Sequence, residues 1–290
     1  MGQSHQVRRV ETDGGAVVVK MTGTTAAGRS LAHEAFVYRL ASWQPGLAAV
    51  LPPALLIDES RGVIVTQAAP HEAVASSLMD GTAPPPQVCR ALGRTLGELH
   101  AATSDAVIPF PGAAGVLDLP VSEEKDLELR HAVSLAVSIG RDPLLGPHLT
   151  AARAAWAPSC LVHADVKWDN CLVEDPHGEV RLRLIDWEMS GWGDPAWDVA
   201  AALAQLSSLS TVTRRSTTEH QQALLRDYPE RQRAEVIPRV PAFWAARVVH
   251  LALECAEAGA EETARSLLQH ACDLVRSLAA VGHELDTWAR

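Results

Sequence analysis

At 290 residues, with 47% hydrophobic and 21% charged residues, the chain has material for one large or two closely packed domains and lies far from disordered or fibrous compositions. A formal net charge of −10 disfavours nucleic acid as a partner, because phosphate binding needs a basic face. Charged residues, Gly or Pro interrupt the apolar runs, no apolar signal segment opens the chain, and the five cysteines form no C-x-x-C pair, so the expectation is a cytoplasmic protein with no membrane span, disulfide framework or zinc site.

Two β-prone stretches, residues 7–10 and 16–21, flank Glu11-Thr12-Asp13-Gly14-Gly15, a tight-turn signal that predicts a hairpin. Ser30 is placed to cap a helix over 31–43, which Pro45-Gly46 ends. Residues 54–58 and 63–66 predict a second hairpin, so residues 1–66 read as a small mixed sheet with one helix. Gln67-Ala68-Ala69-Pro70 is the natural linker, and the pattern then turns helical through 71–290. A helix over 86–102 carries Val88, Leu92, Leu96 and Leu99 on one face. Two further helical tracts precede Pro158, and short strands over 160–163 and 181–186 flank a loop. An Ala-rich helix over 196–206, a polar loop over 207–218 and two long helices over 241–278 complete the chain.

Rare residues mark the chemistry. Only three lysines stand among the 25 basic residues, Lys20, Lys125 and Lys167, and Asn170 is the sole asparagine. Between the two short strands the chain reads His163-Ala164-Asp165-Val166-Lys167-Trp168-Asp169-Asn170, an H-x-D-x-K-x-x-N pattern. Phosphoryl transfer wants a carboxylate beside the acceptor hydroxyl and a neutral oxygen ligand for a metal ion, and this spacing puts both on one loop. Further on, Ile185-Asp186-Trp187-Glu188 sets an acid at the end of an apolar strand, where a magnesium carboxylate would stand.

These motifs, with Gly193-Asp194-Pro195-Ala196-Trp197-Asp198-Val199-Ala200, resemble the aminoglycoside phosphotransferase/choline kinase-like branch of the protein-kinase-like fold. Ala164 stands where that family commonly has Gly. Val17-Val18-Val19-Lys20 resembles the kinase strand lysine, His33-Glu34-Ala35 its partner glutamate, and Val65-Thr66-Gln67 the hinge. The resemblance implies an α+β, two-lobed fold: a small, shortened N-terminal sheet lobe (1–66), a hinge (67–70) and a large, mainly helical C-terminal lobe (71–290). It implies ATP and Mg2+ as cofactors, with Lys20, Glu34, Gln67 and Ala69 on the nucleotide side and Asn170 with Asp186 on the metal. Asp165 would orient and deprotonate the acceptor hydroxyl, Lys167 would neutralise charge on the moving phosphoryl group, and His163 and Asp198 would brace the loop.

Lys20 comes early for a complete kinase-like amino lobe, so a first strand is expected to be missing. The bare hairpin edge should then be covered by a second copy of the chain or by a partner. An aminated small molecule is the leading acceptor, and Glu254, Glu257, Glu261 and Glu262 on the last helices could face it, although a solvated helix face accounts for them as well. A Ser/Thr kinase of a peptide in natural-product maturation, working with a lyase, is the alternative that D-x-K-x-x-N suggests. A pseudokinase that binds a peptide or partner without transfer is the third reading.

Overall fold

The computed structural model describes residues 5–22, 25–68, 74, 83–112, 114–118, 131–174 and 179–288. The amino lobe opens with β1 (His5–Thr12) and β2 (Gly15–Thr22), joined by a two-residue turn that leaves Thr12 opposite Gly15. Gly15 takes φ +113, which a side chain would resist, so a glycine at this position is what allows the reversal. Helix α1 (Thr25–Ala41) starts well before Ser30, which lies within it rather than capping it; Ala26 and Ala27 are good helix formers and extend it upstream. A one-turn helix α2 (Pro45–Ala48) leads to β3 (Ala54–Asp58) and β4 (Val63–Gln67). Every strand pair in the sheet is antiparallel, in the order β1-β2-β4-β3, which corrects the expectation of a mixed sheet. Among the described residues β1 and β3 are its edges.

The carboxyl lobe begins with α3 (Pro86–Thr103), which starts on a proline, where the missing N–H costs nothing. Val88, Leu92, Leu96 and Leu99 are all buried, as their spacing predicts. Its Gly93 and Gly97 sit against the Leu224 carbonyl and the Pro229 ring, where a Cβ would come within 2.1 and 2.0 Å. After α4 (His131–Arg141) and α5 (Leu145–Ala154) the chain enters four short strands: β5 (Cys160–Val162), β6 (Cys171–Glu174), β7 (Arg181–Leu184) and β8 (Gly191–Gly193). They pair as β5-β8 and β6-β7, so the two expected strands belong to different ribbons.

Helix α6 (Pro195–Thr213) runs through most of the segment expected to be a loop. The Ser/Thr content misleads there because the hydroxyls are used inside the helix. Thr211 and Thr213 donate to the carbonyls of Ser207 and Leu209 at 2.9 and 2.7 Å, and buried Ser207 accepts from the Trp244 indole at 3.0 Å. The chain ends with α7 (Thr218–Asp227), α8 (Glu230–Val236), α9 (Val240–Glu257), α10 (Glu261–Arg276) and α11 (Leu278–Trp288), one helix more than expected after residue 241. Helix α6 is buried through most of its first thirteen residues, 195–207, and packs on α9, which packs on α10. By length and composition the stretch 230–257 could cross a membrane, contrary to the expectation from interrupted runs, but 72% of its most apolar window is buried inside the protein. The described fold is thus a small antiparallel sheet lobe joined to a mostly helical lobe, α+β and two-lobed.

Candidate active site

The loop 163–170 hangs between β5 and β6 and is fastened to the turn after β7 by the Ile185 N–H, which donates to the Asn170 carbonyl at 3.0 Å. On this loop Lys167 donates to Asp165 Oδ2 at 2.7 Å. Asn170 spends its amide hydrogens on the same residue, reaching Asp165 Oδ2 at 3.0 Å and its carbonyl at 2.9 Å. That leaves Asn170 Oδ1 for another partner. Burial works to lower the Lys167 pKa, but the Asp165 charge and hydrogen bond outweigh it and hold the ammonium above its ordinary range.

Lys20 on β2 reaches into both lobes, donating to Glu34 Oε2 of α1 at 2.6 Å and to Asp186 Oδ1 at 2.5 Å. Desolvation opposes its charge, and the two carboxylates still raise its pKa. Asp186 would be pushed up by burial, yet Lys20 keeps it below the usual carboxylate range. For Glu34, burial wins over Lys20 and the pKa rises. Asp186 takes the left-handed conformation (φ 66, ψ 63), so the chain turns sharply at the strand end and the carboxylate faces Lys20. These groups close one end of a cleft of about 440 Å3 that Val18, Ile64, Leu172 and Ile185 line with apolar surface.

His163 and Asp198 lie beneath the loop, both wholly buried. Asp198 Oδ2 accepts from the His163 N–H at 2.7 Å and lies 3.2 Å from His100 Nε2, while Oδ1 accepts from the Ala164 N–H at 2.9 Å. His163 Nδ1 accepts the Asp165 N–H at 3.3 Å, so Nε2 carries the hydrogen and donates to the Ile185 carbonyl at 2.9 Å. One ring thereby joins the loop 163–170 to the Asp186 turn in its neutral form. Burial depresses its pKa accordingly.

A pH dependence follows. The unfolded histidine takes up a proton below about pH 6.5 while the folded one stays neutral. Stability is therefore full above pH 6.5 and falls as the pH drops, by up to about 1.4 kcal/mol per pH unit for one group. His148 and His270, also depressed by burial, add in the same direction. Urea titrations between pH 5 and 7 should show His163→Gln flattening this slope by as much as one proton, and an unchanged slope would refute the neutral assignment.

The structure thus brings Lys20, Glu34, Asp165, Lys167, Asn170 and Asp186 into one connected set, with His163 and Asp198 behind it. Gln67 lines the cleft, where its N–H donates to the Pro53 carbonyl and that of Ala68 to the Ala16 carbonyl; Ala69 lies outside the described residues. All four candidate acids are exposed, and Glu254 in addition faces the charges of Lys167 and Arg247. Sequence reading missed Val7 and Arg9, which line the cleft from β1, His100, which reaches Asp198 from α3, and Arg247, which reaches the loop at Ala164 from α9. For Val7 and Arg9 the available signal was the hairpin register, which sets them opposite Lys20 and Val18.

A two-lobed, protein-kinase-like fold with a lysine, a glutamate and an aspartate meeting across its cleft defines a kinase, a phosphotransferase with a hydroxyl acceptor. The chain belongs to the phosphotransferase enzyme family, whose model matches residues 1–237. Among solved structures, the ethanolamine kinase of Plasmodium vivax is similar over 96% of this chain and 82% of its own, at a TM-score of 0.65 and 12% identity. A choline/ethanolamine kinase family protein of Mesorhizobium loti is similar over 95% and 90%, at 0.56 and 22%. The macrolide 2'-phosphotransferase of Brachybacterium faecium is similar over 92% and 90%, at 0.53 and 19%. No curated protein sequence matches significantly.

Proposed function

We propose that the protein transfers the γ-phosphoryl group of ATP, with Mg2+, to a hydroxyl of an aminated small molecule such as an antibiotic or a metabolite. The observation that carries this reading is the arrangement of oxygens and ammonium groups at the polar end of the cleft. Lys20, held by Glu34, stands ready for the α/β-phosphates. Asn170 Oδ1 and the Asp186 carboxylate would hold Mg2+, since a neutral and an anionic oxygen suit a hard cation that keeps its remaining positions for phosphate and water. Bound there, the metal would neutralise phosphate charge. Asp165 would accept the proton of the acceptor hydroxyl as the new O–P bond forms and the bond from the γ-phosphorus to the β,γ-bridging oxygen breaks, ADP leaving, while Lys167 would meet the charge on the moving group.

The small-molecule acceptor is supported by the kinases of ethanolamine and macrolides among the structural relatives. The amine is supported by Glu254, which stays ionised at neutral pH on the catalytic-loop side of α9: burial works against its charge, but His250, Arg247 and Lys167 lower its pKa overall. Thermal denaturation with ATP alone, Mg2+ alone and both together tests the nucleotide. A ligand at 100 times its dissociation constant adds about 2.7 kcal/mol, and no shift at millimolar Mg-ATP would overturn the reading. Mass spectrometry after incubation of Mg-ATP with aminated alcohols or Ser/Thr peptides tests the acceptor; a phosphate-sized gain confined to peptides would make the protein a peptide kinase instead.

A further inference from the structure

Arg247 sits in the middle of α9, within the apolar run Phe243-Trp244-Ala245-Ala246-Arg247-Val248-Val249, and is 2% exposed. Its guanidinium lies over the Trp197 ring, 5.0 Å from the centroid. Nη1 points to the carbonyl of Ala164 at 3.4 Å, the long end of the hydrogen-bonding range, and Nε has no partner. The carboxylates facing it are Asp165, Glu254 and Asp198. Each of these has other cationic or N–H partners: Lys167 for Asp165, His250 for Glu254, and His100 with two backbone N–H groups for Asp198.

A buried cation that leaves a donor orphaned and is not needed to pair any one carboxylate is a poor stabilising device, since an apolar side chain would fill the site at lower cost. What depends on it is the Ala164 carbonyl. Ala164 precedes Asp165 and has φ 65, a left-handed conformation that an alanine adopts against the crowding of its own Cβ. Such a residue persists only where its surroundings over-determine it. Its N–H is held by Asp198 and its carbonyl by Arg247, so the peptide groups on both sides are fastened.

We propose that Arg247 is a positioning residue for phosphoryl transfer: with Asp198 it clamps the left-handed turn at Ala164 that aims the Asp165 carboxylate. The clamp rests on the reading of Asp165 as the base that meets the acceptor. A glycine at 164 would adopt this turn without strain and would need no clamp, which gives the proposal a signature that simple burial lacks.

Two readouts test it, amide hydrogen exchange over residues 163–166 and the turnover of Mg-ATP to ADP and phosphate with water as acceptor. In Arg247→Met the amides of Ala164 and Asp165 should exchange about 10-fold faster, and turnover should fall about 10²-fold at an unchanged KM for ATP, the cost of a misaimed group. Adding Ala164→Gly to Arg247→Met should restore most of both. Arg247→Lys, which keeps the charge at a donor able to reach the carbonyl, should lie between. Wild-type exchange in Arg247→Met, or an equal loss with and without Ala164→Gly, would overturn the clamp. If Arg247→Met does not fold, the same comparison is made with Arg247→Lys and its Ala164→Gly partner. A wild-type protein that turns over no ATP would count against the proposed function, while the exchange and its rescue still decide the clamp.

Discussion

Asp165→Asn should abolish phosphoryl transfer, by about 10²–10⁴-fold, the usual worth of a positioned base. It should leave Mg-ATP binding nearly unchanged. The carboxylate is bonded to Lys167 and Asn170 on its own loop and makes no contact with Lys20, so the nucleotide end of the cleft keeps its groups. Asparagine retains the shape and one acceptor oxygen while losing the capacity to take a proton. Asp186→Ala should act the other way, removing the partner of Lys20 and the proposed metal carboxylate together, so that Mg-ATP no longer shifts the melting temperature. The pair is read by isothermal titration and by turnover on an identified acceptor. Wild-type turnover in either variant would remove that residue from the mechanism.

Asp198→Ala should be the most damaging substitution to the fold itself. It leaves the His163 and Ala164 N–H groups buried without an acceptor and takes a hydrogen-bond partner from His100, which also contacts the Tyr228 hydroxyl at 3.0 Å. Breaking a buried network of this kind by removing one member costs about 3–5 kcal/mol. The carboxyl is also held below its ordinary pKa: burial would raise it, but His100, His163 and the hydrogen bonds they supply prevail. Its contribution is therefore present above about pH 4 and is lost as the pH falls further. Urea unfolding at pH 7.5 measures the cost, and a loss below about 1 kcal/mol would show that the network carries little of the stability. Should the alanine variant fail to fold, Asp198→Asn, which keeps one acceptor, gives an intermediate loss.

How much of this was legible in the sequence depends on the range of each interaction. The catalytic loop is local: Asp165, Lys167 and Asn170 lie within six residues, and their mutual bonds follow from that spacing. The pairing of Lys20 with Glu34 and Asp186 spans 166 residues, and only the family resemblance brought the three together. Arg247 and His100 carried no motif, because a side chain that reaches a loop or another helix from far along the chain has no fixed spacing to its partner. A lone arginine in an apolar helix was the available clue. The error at 207–218 has a different origin: Ser and Thr disfavour helices chiefly when they bond to backbone outside them, and here they bond back within α6.

The double attachment of Lys20 has a thermodynamic consequence. Under the proposed function a cation approaching Asp186 would meet a carboxylate whose Oδ1 is already bonded to the Lys20 ammonium at 2.5 Å, so Mg2+ by itself would gain less than at a free carboxylate. Phosphates arriving with the metal would offer the Lys20 ammonium a new partner, so that the cost of separating the pair would be recovered. If the site takes both, metal and nucleotide would each raise the affinity of the other by the same factor. In the thermal titration this is a shift with Mg2+ and ATP together that exceeds the sum of the two separate shifts.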